Sequence, residues 1–275
     1  MTPTAAAATP DYSAIKTRQN AAWASGDYSR IGVTLQIVGE SLAETMDLRP
    51  GASVLDVAAG NGNATLAFAR RMCEVTSTDY VDSLLARGRA RAEAEGLDVT
   101  YEIADAEQLP FGDSAFDAVV STFGVMFAPN QEKAASELIR VCRPSGKIGL
   151  ANWTPAGFIG EVFKTLGKHV APPAGVSSPA RWGTESWITD TFGPRARTIA
   201  VEHKAFVFRY HSPERFIEVF RAFYGPIHKA FLALDANGQA ALHGDLIDTI
   251  ARFNTATDGS MRAPSDYAEV IIIKA

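Results

Sequence analysis

The sequence predicts an α/β fold with helices on both faces of a doubly wound, mostly parallel sheet. Short apolar runs alternate with helical patterns between residues 53 and 153. Such alternation over about 100 residues favours parallel strands joined by right-handed helical crossovers. The first apolar run ends in the small-residue turn "AAGNG", and ligands of such folds bind where strands end.

The N-terminal residues come before this alternation. Residues 1–12 lack the charged start and long apolar run of a signal peptide, so we expect a disordered tail there. Residues 13–48 carry apolar side chains at mainly helical spacing, among them Ile15, Trp23 and Leu35. We therefore expect an N-terminal helical cap over residues 13–48.

The central alternation predicts five strands and three helices. The strands are short apolar runs, and glycine or proline punctuates the ends of two of the helices. We expect the strands at 53–58, 74–79, 98–105, 116–123 and 147–153, and the helices at 63–71, 83–96 and 131–146.

Beyond Trp153 the pattern loosens but still predicts regular elements. We expect helices over 154–170 and 185–193 and a long strand over 198–210. Helices follow over 212–257, and "YAEVIIIKA" predicts a last strand. The helical segment 211–264 is then an insertion before that strand. It is either a cover over a substrate site or structural packing.

Composition and charge restrict the class of partner. A net charge of −5 makes nucleic acid a poor default partner, and no apolar stretch is long enough to span a membrane. Cys73 and Cys142 lie far apart and outside any CxxC motif, which favours a reduced, cytoplasmic setting without a metal site. We expect a small-molecule substrate and a monomer or homodimer.

Two glycines and an acid suggest a ligand with an adenosine part. Gly60 and Gly62 follow the first predicted strand and let the backbone approach a ligand. Asp79 ends the second strand, 19 positions after Gly60, where an acid can accept hydrogen bonds from ribose hydroxyls. The dinucleotide fingerprint G-x-G-x-x-G is incomplete, because Thr65 or Asn63 occupies its third glycine position.

Four segments in order resemble a class I S-adenosylmethionine-dependent methyltransferase, in the group near the ubiquinone and menaquinone biosynthesis enzymes. The resemblance covers roughly residues 51–153. It is carried by "VLDVAAGNGN", "STDYVDSLLARGRARA", "ADAEQLPFGDSAFDAVVSTFGVMF" and "ELIRVCRPSGKIGLANW". It implies a Rossmann-like methyltransferase fold with residues 49–275 as the methyltransferase domain, and S-adenosylmethionine as the cofactor.

The resemblance implies residues for the methionine end of the cofactor. Ala58, Ala59 and Gly60 should pass beneath the methionine part. Asp56 should hold that loop, through the methionine amino group or only as an acid at the strand end. Ala58 departs from the family, which usually has glycine there, and its methyl group should shift the loop slightly.

The resemblance also implies residues for the adenosine and the reacting sulfur. Asp79 should bind the ribose hydroxyls, and Tyr80 should pack on the adenine or ribose. Asp105 should accept a hydrogen bond from the adenine amino group, and the N–H of Ala106 should meet a ring nitrogen. The sulfonium should lie near the end of the fourth strand, beside Thr122 and Phe123.

Several aromatic residues and histidines have two open interpretations. Phe123, Met126 and Phe127 face the substrate or belong to the core. Trp23 and Tyr28 close over the cofactor or simply pack, and Phe216 and Phe220 are core or substrate contacts. No histidine lies in a recognisable catalytic motif; His211 and His228 fall in or beside the predicted cover.

The leading hypothesis is methyl transfer from S-adenosylmethionine to a small, hydrophobic or aromatic acceptor. No catalytic residue is predicted, because methyl transfer depends mainly on holding the nucleophile in line with the methyl carbon. The alternatives are a nicotinamide-dependent oxidoreductase, which shares the strand–glycine–helix–acid layout, and a cofactor-binding protein without transferase activity.

Overall fold

The computed structural model describes residues 10–275, and most of the predicted tail 1–12 lies outside the described residues. Helix α1 begins at Tyr12, one residue before the predicted cap. The carboxylate of Asp11 accepts a hydrogen bond from the N–H of Ala14 and caps the first turn. This capping explains why the helix begins inside the range predicted as tail.

A single seven-stranded sheet organises the chain, in the order β3-β2-β1-β4-β5-β7-β6. The first five strands are parallel, and β7 pairs antiparallel with both β5 and β6. The strand order reverses between β1 and β4, and this reversal marks the ligand-binding edge of such sheets. The predicted doubly wound, mostly parallel α/β fold is therefore confirmed. The strands are β1 Ser53–Val57, β2 Glu74–Asp79, β3 Val99–Ile103, β4 Phe116–Thr122, β5 Cys142–Trp153, β6 Ala196–Tyr210 and β7 Met261–Lys274.

Helices cover both faces of the sheet and close its ligand-binding edge. Three helices precede β1, one follows each of β1, β2 and β4, and two lie between β5 and β6. Three more lie between β6 and β7, within the predicted insertion. The helices are α1 Tyr12–Ala24, α2 Ser29–Gly32, α3 Gln36–Met46, α4 Asn63–Arg70, α5 Asp82–Glu95, α6 Gln131–Val141, α7 Phe158–His169, α8 Glu185–Phe192, α9 Pro213–Phe223, α10 Gly225–Leu232 and α11 Ala236–Phe253.

Strand β5 starts five residues before its predicted first residue, Lys147, and α6 is shorter than predicted to match. The backbone is already extended at Cys142, where ψ is 134°. Arg143 precedes Pro144, and the proline ring disfavours helical geometry in the residue before it. The ammonium of Lys274 donates a 2.6 Å hydrogen bond to the carbonyl of Cys142, which fixes the start of the strand.

Strand β7 starts at Met261, inside the range 211–264 predicted as helical insertion. The sequence pattern predicts no strand around Pro264, because proline has no N–H for a sheet ladder. The structure tolerates it because β5 pairs with β7 only from Tyr267 onwards. At Pro264 the strand has one neighbour, Val207 of β6, and needs bonds on one side alone.

Two apolar clusters form the core. The smaller joins α3 and α4 to the sheet through side chains such as Met46 and Phe68, both fully buried. The larger runs from the other face of the sheet into the helices before β7, where Phe216 and Phe220 are also buried. Each such side chain contributes about 1.5–3 kcal/mol relative to its exposed state. The helices before β7 are thus packed against the sheet by the main core.

Candidate active site

The loop between β1 and α4 forms the floor of a cavity where the strand order reverses. Three of its residues have a left-handed backbone: Ala58 with φ of 53°, Gly60 with 57° and Gly62 with 82°. The loop is held by the N–H of Ala59, which donates a 2.8 Å hydrogen bond to the carbonyl of Thr78 on β2. Ala58 alone among these three bears a Cβ, at a cost of roughly 1–2 kcal/mol.

Gly124 lies directly against Ala58. A Cβ added to Gly124 would lie 2.0 Å from the carbonyl oxygen of Ala58 and 2.8 Å from its Cβ. The end of β4 therefore approaches the loop after β1 (residues 58–62, here called the cofactor loop) closely enough to exclude any side chain at position 124. The extra methyl group of Ala58 is accommodated by the glycine facing it.

Asp56 lies beneath the loop and does not line the cavity. Its Oδ2 accepts hydrogen bonds from the N–H of Thr65 at 2.8 Å and from the hydroxyl of Thr65 at 2.7 Å. Burial raises the pKa of Asp56 to about 7, although the bonds from Thr65 oppose this shift. Asp56 therefore holds the loop from beneath through Thr65. The hydroxyl of Thr65 joins α4 to β1, which gives this residue a structural role at the third glycine position of the fingerprint.

Asp79 connects the loop to the end of β2 and faces the cavity. Its Oδ2 accepts a 2.9 Å hydrogen bond from the N–H of Gly60, and its Oδ1 accepts one of the same length from the N–H of Val81. The side chain is buried, and burial raises its pKa to about 6 against the effect of these hydrogen bonds. A carboxylate with fixed orientation therefore lines the cavity beside the loop.

A smaller cavity of about 380 Å³ opens beyond Tyr80 and contains Asp105 and Ala106 in its wall. The carboxylate of Asp105 accepts a 2.5 Å hydrogen bond from the ammonium of Lys16 and a 2.9 Å bond from the N–H of Glu107. The ammonium of Lys16 also lies 3.0 Å from the carboxylate of Glu107. Burial lowers the pKa of Lys16, but its hydrogen bonds to the two acids outweigh that effect and raise it.

Helix α1 closes this smaller cavity with the side that carries Lys16. One turn later, the amide of Gln19 donates a 3.3 Å hydrogen bond to the carbonyl of Phe127. The amide of Asn20 donates a 2.7 Å bond to the carbonyl of Tyr80. These contacts were absent from the sequence-based prediction, since polar side chains on a helix with no clear apolar face give no signal of what they touch.

The main cavity has a volume of about 850 Å³, including its open mouth, and its wall contains residues of the loop after β1 and of the helices before β7. Thr122 and Phe123 line it at the end of β4, next to Ala58, Ala59 and Gly60. Asp79 is the one charged residue in its wall among the described residues. Nine aromatic side chains line it: Trp23, Tyr28, Tyr80, Phe123, Phe127, Trp153, Phe208, Phe220 and Tyr224.

Phe123 holds an aromatic stack in the cavity wall. Its ring lies parallel to that of Trp153, with 3.8 Å between centroids and 6° between planes. Its backbone is left-handed, with φ of 58°, and its N–H donates a 2.8 Å hydrogen bond to the carbonyl of Ala151 on β5. A left-handed phenylalanine is uncommon outside functional sites, so packing and strand pairing hold Phe123 at this edge against its own preference.

Tyr28 and Tyr224 bring two phenols to the same cavity. The ring of Trp23 packs edge-on against both, at centroid distances of 5.6 and 5.3 Å. Burial raises the pKa of both phenols above the usual range, so they stay protonated donors. Neither hydroxyl donates a hydrogen bond to another residue within the described part of the chain.

Comparison with known proteins identifies the family. Residues 54–146, from β1 into β5, match the Methyltransferase domain family. The chain is 40% identical over 215 residues to uncharacterized protein Rv1403c of Mycobacterium tuberculosis, covering 77% of this chain and 78% of that protein. The chain belongs to the class I S-adenosylmethionine-dependent methyltransferases. The alternative of a nicotinamide-dependent oxidoreductase is therefore wrong.

Two further comparisons give another relative and a solved structure of similar fold. The chain is 35% identical over 142 residues to the demethylmenaquinone methyltransferase of Thermus thermophilus, covering 50% of this chain and 64% of that protein. The crystal structure of a putative methyltransferase from Bacillus halodurans has a similar fold, with a TM-score of 0.60 and 20% identity. The superposed region covers 86% of this chain and 97% of the Bacillus halodurans chain.

Two of the residues with open interpretations belong to the core of the methyltransferase. Met126 and Phe216 are fully buried and do not line the main cavity, whereas Phe127 and Phe220 do line it. His211 is exposed, and the ring nitrogen Nδ1 of His228 lies 2.9 Å from the carbonyl oxygen of Arg221. The predicted cover therefore contributes aromatic rings to the cavity and no histidine.

The polar groups of the cleft fit the cofactor of this family. The glycine at position 60 leaves room beside the ring of Tyr28, about where a bound ligand would pass the loop. Asp79 offers carboxylate oxygens at the cavity wall, and Gln19 contributes a buried amide oxygen without a hydrogen-bond donor. Within residues 10–275, no cluster of acids, histidines or cysteines could hold a metal, and no helix is long and apolar enough to cross a membrane.

Proposed function

We propose that this methyltransferase transfers a methyl group to a small, largely apolar acceptor with an aromatic or quinol-like ring. The observation that carries the proposal is the composition of the main cavity. The cofactor loop shares it with nine aromatic side chains, and Asp79 is the one charged residue of its wall among those described. A flat ring buried there would contact aromatic faces and edges, which favour such pairs by about 0.5–1.5 kcal/mol each.

The cofactor residues expected from the sequence remain the proposed binding set. Asp79 would accept hydrogen bonds from the ribose hydroxyls, and the loop from Ala58 to Gly60 would lie under the methionine part. Both are supported by their place in the wall of the main cavity. Asp56 would act through this loop, because its carboxylate is bound to Thr65 beneath it.

The smaller cavity would hold the adenine. Tyr80, Asp105 and Ala106 line it together, which supports the roles implied for them. Tyr80 also lines the main cavity, so a single ligand could extend from one cavity into the other past its ring. Thr122 and Phe123 lie in the main cavity alone, where the reacting sulfur would be.

The chemistry requires little acid–base assistance from the chain. Bound cofactor supplies an activated methyl group on a positively charged sulfur. The stacked rings of Phe123 and Trp153 would stabilise a cation nearby, by about 0.5–2 kcal/mol. The remaining contribution of the protein is orientation of the acceptor and exclusion of water, which can lower a barrier by about 7–11 kcal/mol in the best cases.

No histidine, lysine or arginine lies in the described wall of the main cavity, which restricts the chemical class of the acceptor further. A protonated amine must lose a proton before it can attack, and the one carboxylate of this wall, Asp79, would be engaged by the ribose. A phenolate, an enolate or an electron-rich ring carbon is already nucleophilic. The relative from Thermus thermophilus is named as a demethylmenaquinone methyltransferase, which supports a ring acceptor.

The helices before β7 would act as the cover of the acceptor site. Phe220 and Tyr224, at the end of α9, line the main cavity from this segment. Trp23 and Tyr28 line it from the predicted N-terminal cap, residues 13–48. Both thiols are free and buried, which supports a reducing compartment such as the cytoplasm.

The experiment is a transfer assay with methyl-labelled S-adenosylmethionine. The protein is incubated with a panel of phenols, quinols and primary amines, and products are separated and counted. We expect label in a phenol or quinol product and loss of that product in Asp79→Ala. Label in amine products alone would contradict the proposed acceptor class. A metabolite extract is assayed beside the panel, and no labelled product from either would contradict methyl transfer.

A further inference from the structure

Helix α1 contacts the smaller cavity through side chains on one of its faces. Lys16, Gln19, Asn20 and Trp23 recur at the three- and four-residue spacing that places side chains on one side of a helix. Lys16 and Asn20 reach Asp105 and the carbonyl of Tyr80, respectively. Gln19 lines the smaller cavity together with Lys16 and Asp105.

The hydrogen bond from Gln19 to Phe127 fixes which end of its amide is free. Its Nε2 donates to the carbonyl of Phe127 at 3.3 Å, and the flipped amide would bring two oxygens together there. The Oε1 of Gln19 is therefore left over. It is buried and accepts no hydrogen bond from any described residue.

A buried, unpartnered amide oxygen calls for a donor from outside the chain. Leaving such an acceptor unpaired is unfavourable, and buried acceptors in folded proteins are almost always paired. Asp105 can accept one N–H of an adenine amino group with the lone pairs that its oxygens keep, which leaves the second N–H for another acceptor. One of its oxygens already accepts from Lys16 and the other from the N–H of Glu107.

We propose that the Oε1 of Gln19 accepts a hydrogen bond from the exocyclic amino group of the adenine, and that α1 thereby helps to select the base. The inference rests on the proposed cofactor placement. An amino group carries two N–H donors, which matches Gln19 on one side and Asp105 on the other. A base with a carbonyl at that position would instead face two acceptors and be rejected.

The test compares two demethylated cofactors by calorimetric titration. S-adenosylhomocysteine carries the amino group, and S-inosylhomocysteine has a carbonyl in its place. We expect the wild-type protein to prefer the adenosyl ligand by at least about tenfold, which is about 1.4 kcal/mol. Equal affinity of the wild-type protein for the two ligands would overturn the inference without recourse to any variant.

Two variants separate base selection from simple attachment of α1. Gln19→Met removes the amide with little change in size and should reduce the preference severalfold, chiefly through weaker binding of the adenosyl ligand, while Asp105 retains the remainder. Asn20→Leu removes the hydrogen bond to the carbonyl of Tyr80. It should lower the affinity for both ligands equally and keep the preference for the adenosyl ligand. An unchanged preference in Gln19→Met would show that Gln19 only attaches the helix. Failure of the folded wild-type protein to bind either ligand would instead overturn the proposed function.

Discussion

The backbone N–H of Gly60 donates a 2.9 Å hydrogen bond to the carboxylate of Asp79, which ties the loop after β1 to the end of β2. One acid thereby orients the loop on which the methionine part of the cofactor would lie and presents its carboxylate to the same cavity. This relationship explains why the two sequence features occur together. Neither the turn nor the acid would form the site alone.

Affinity for S-adenosylhomocysteine should fall as the pH drops through about 6. Burial raises the pKa of Asp79 to about 6, and the ribose hydroxyls would bind its ionised form. Below that pH the free protein holds a proton that must leave on binding, so affinity weakens by up to about tenfold per pH unit. Titrations between pH 5 and 8 in two buffers would detect the release of this proton. A pH-independent affinity in the wild-type protein would contradict the role of Asp79.

Ala58→Gly should leave the fold intact and raise its stability. The left-handed backbone at position 58, with φ of 53°, costs alanine roughly 1 kcal/mol more than glycine. Affinity for S-adenosylhomocysteine should change only a few-fold. The matched control is Ala59→Gly, whose backbone is not left-handed; this variant should lose about 0.4–1 kcal/mol of stability, because glycine makes the unfolded chain more flexible. Thermal unfolding and titration check both variants; complete loss of binding in Ala58→Gly would be inconsistent with its placement.

Gly124→Ala should weaken cofactor binding and destabilise the protein by about 1–3 kcal/mol. Its new Cβ would lie 2.0 Å from the carbonyl oxygen of Ala58, so the cofactor loop must shift. Gly112→Ala is the control, since no atom lies within 4 Å of a Cβ at that position. Denaturant unfolding of the two variants gives the comparison. Equal stability and affinity in both would show that the loop is freer than its packing indicates.

Removal of the two tyrosine hydroxyls in the main cavity should weaken binding of the acceptor more than binding of the cofactor. Tyr28→Phe and Tyr224→Phe keep both rings but remove hydroxyls that donate no hydrogen bond to another described residue. We expect the KM for a phenol or quinol acceptor to rise by about tenfold, with little change in affinity for S-adenosylhomocysteine. Tyr210→Phe serves as the control, because Tyr210 packs against Phe216 outside the cavity wall. A rise in KM in the control alone would refute the assignment.

The parts of the site that follow from local sequence could be predicted. Ala58, Gly60, Asp79 and Thr122 lie at strand ends, and the ends of parallel strands meet at one edge of the sheet. Their shared cavity is therefore a consequence of strand order, which the alternation of elements already indicates. Asp56 shows the limit, since the strand pattern does not tell whether an acid faces the cavity or the underside of the loop.

The remaining parts depend on contacts between distant segments. Lys16 meets Asp105 across 89 residues of chain, and Gln19 meets Phe127 across 108. Neither helix periodicity nor a local motif carries information about such pairs. Trp153 also escaped prediction as a site residue, because its stacking on Phe123 requires the left-handed backbone of Phe123 at the end of β4.

Calorimetric titration with S-adenosylhomocysteine tests the central claim most directly. The wild-type protein should bind this ligand and show no tight binding of NADH. Asp79→Asn should weaken binding by about 100-fold through loss of charge-assisted hydrogen bonds. Asp117→Asn, at the start of β4 and outside both cavities, should cost stability and leave affinity unchanged. Folded wild-type protein that fails to bind S-adenosylhomocysteine, or Asp79→Asn that binds it undiminished, would contradict the account.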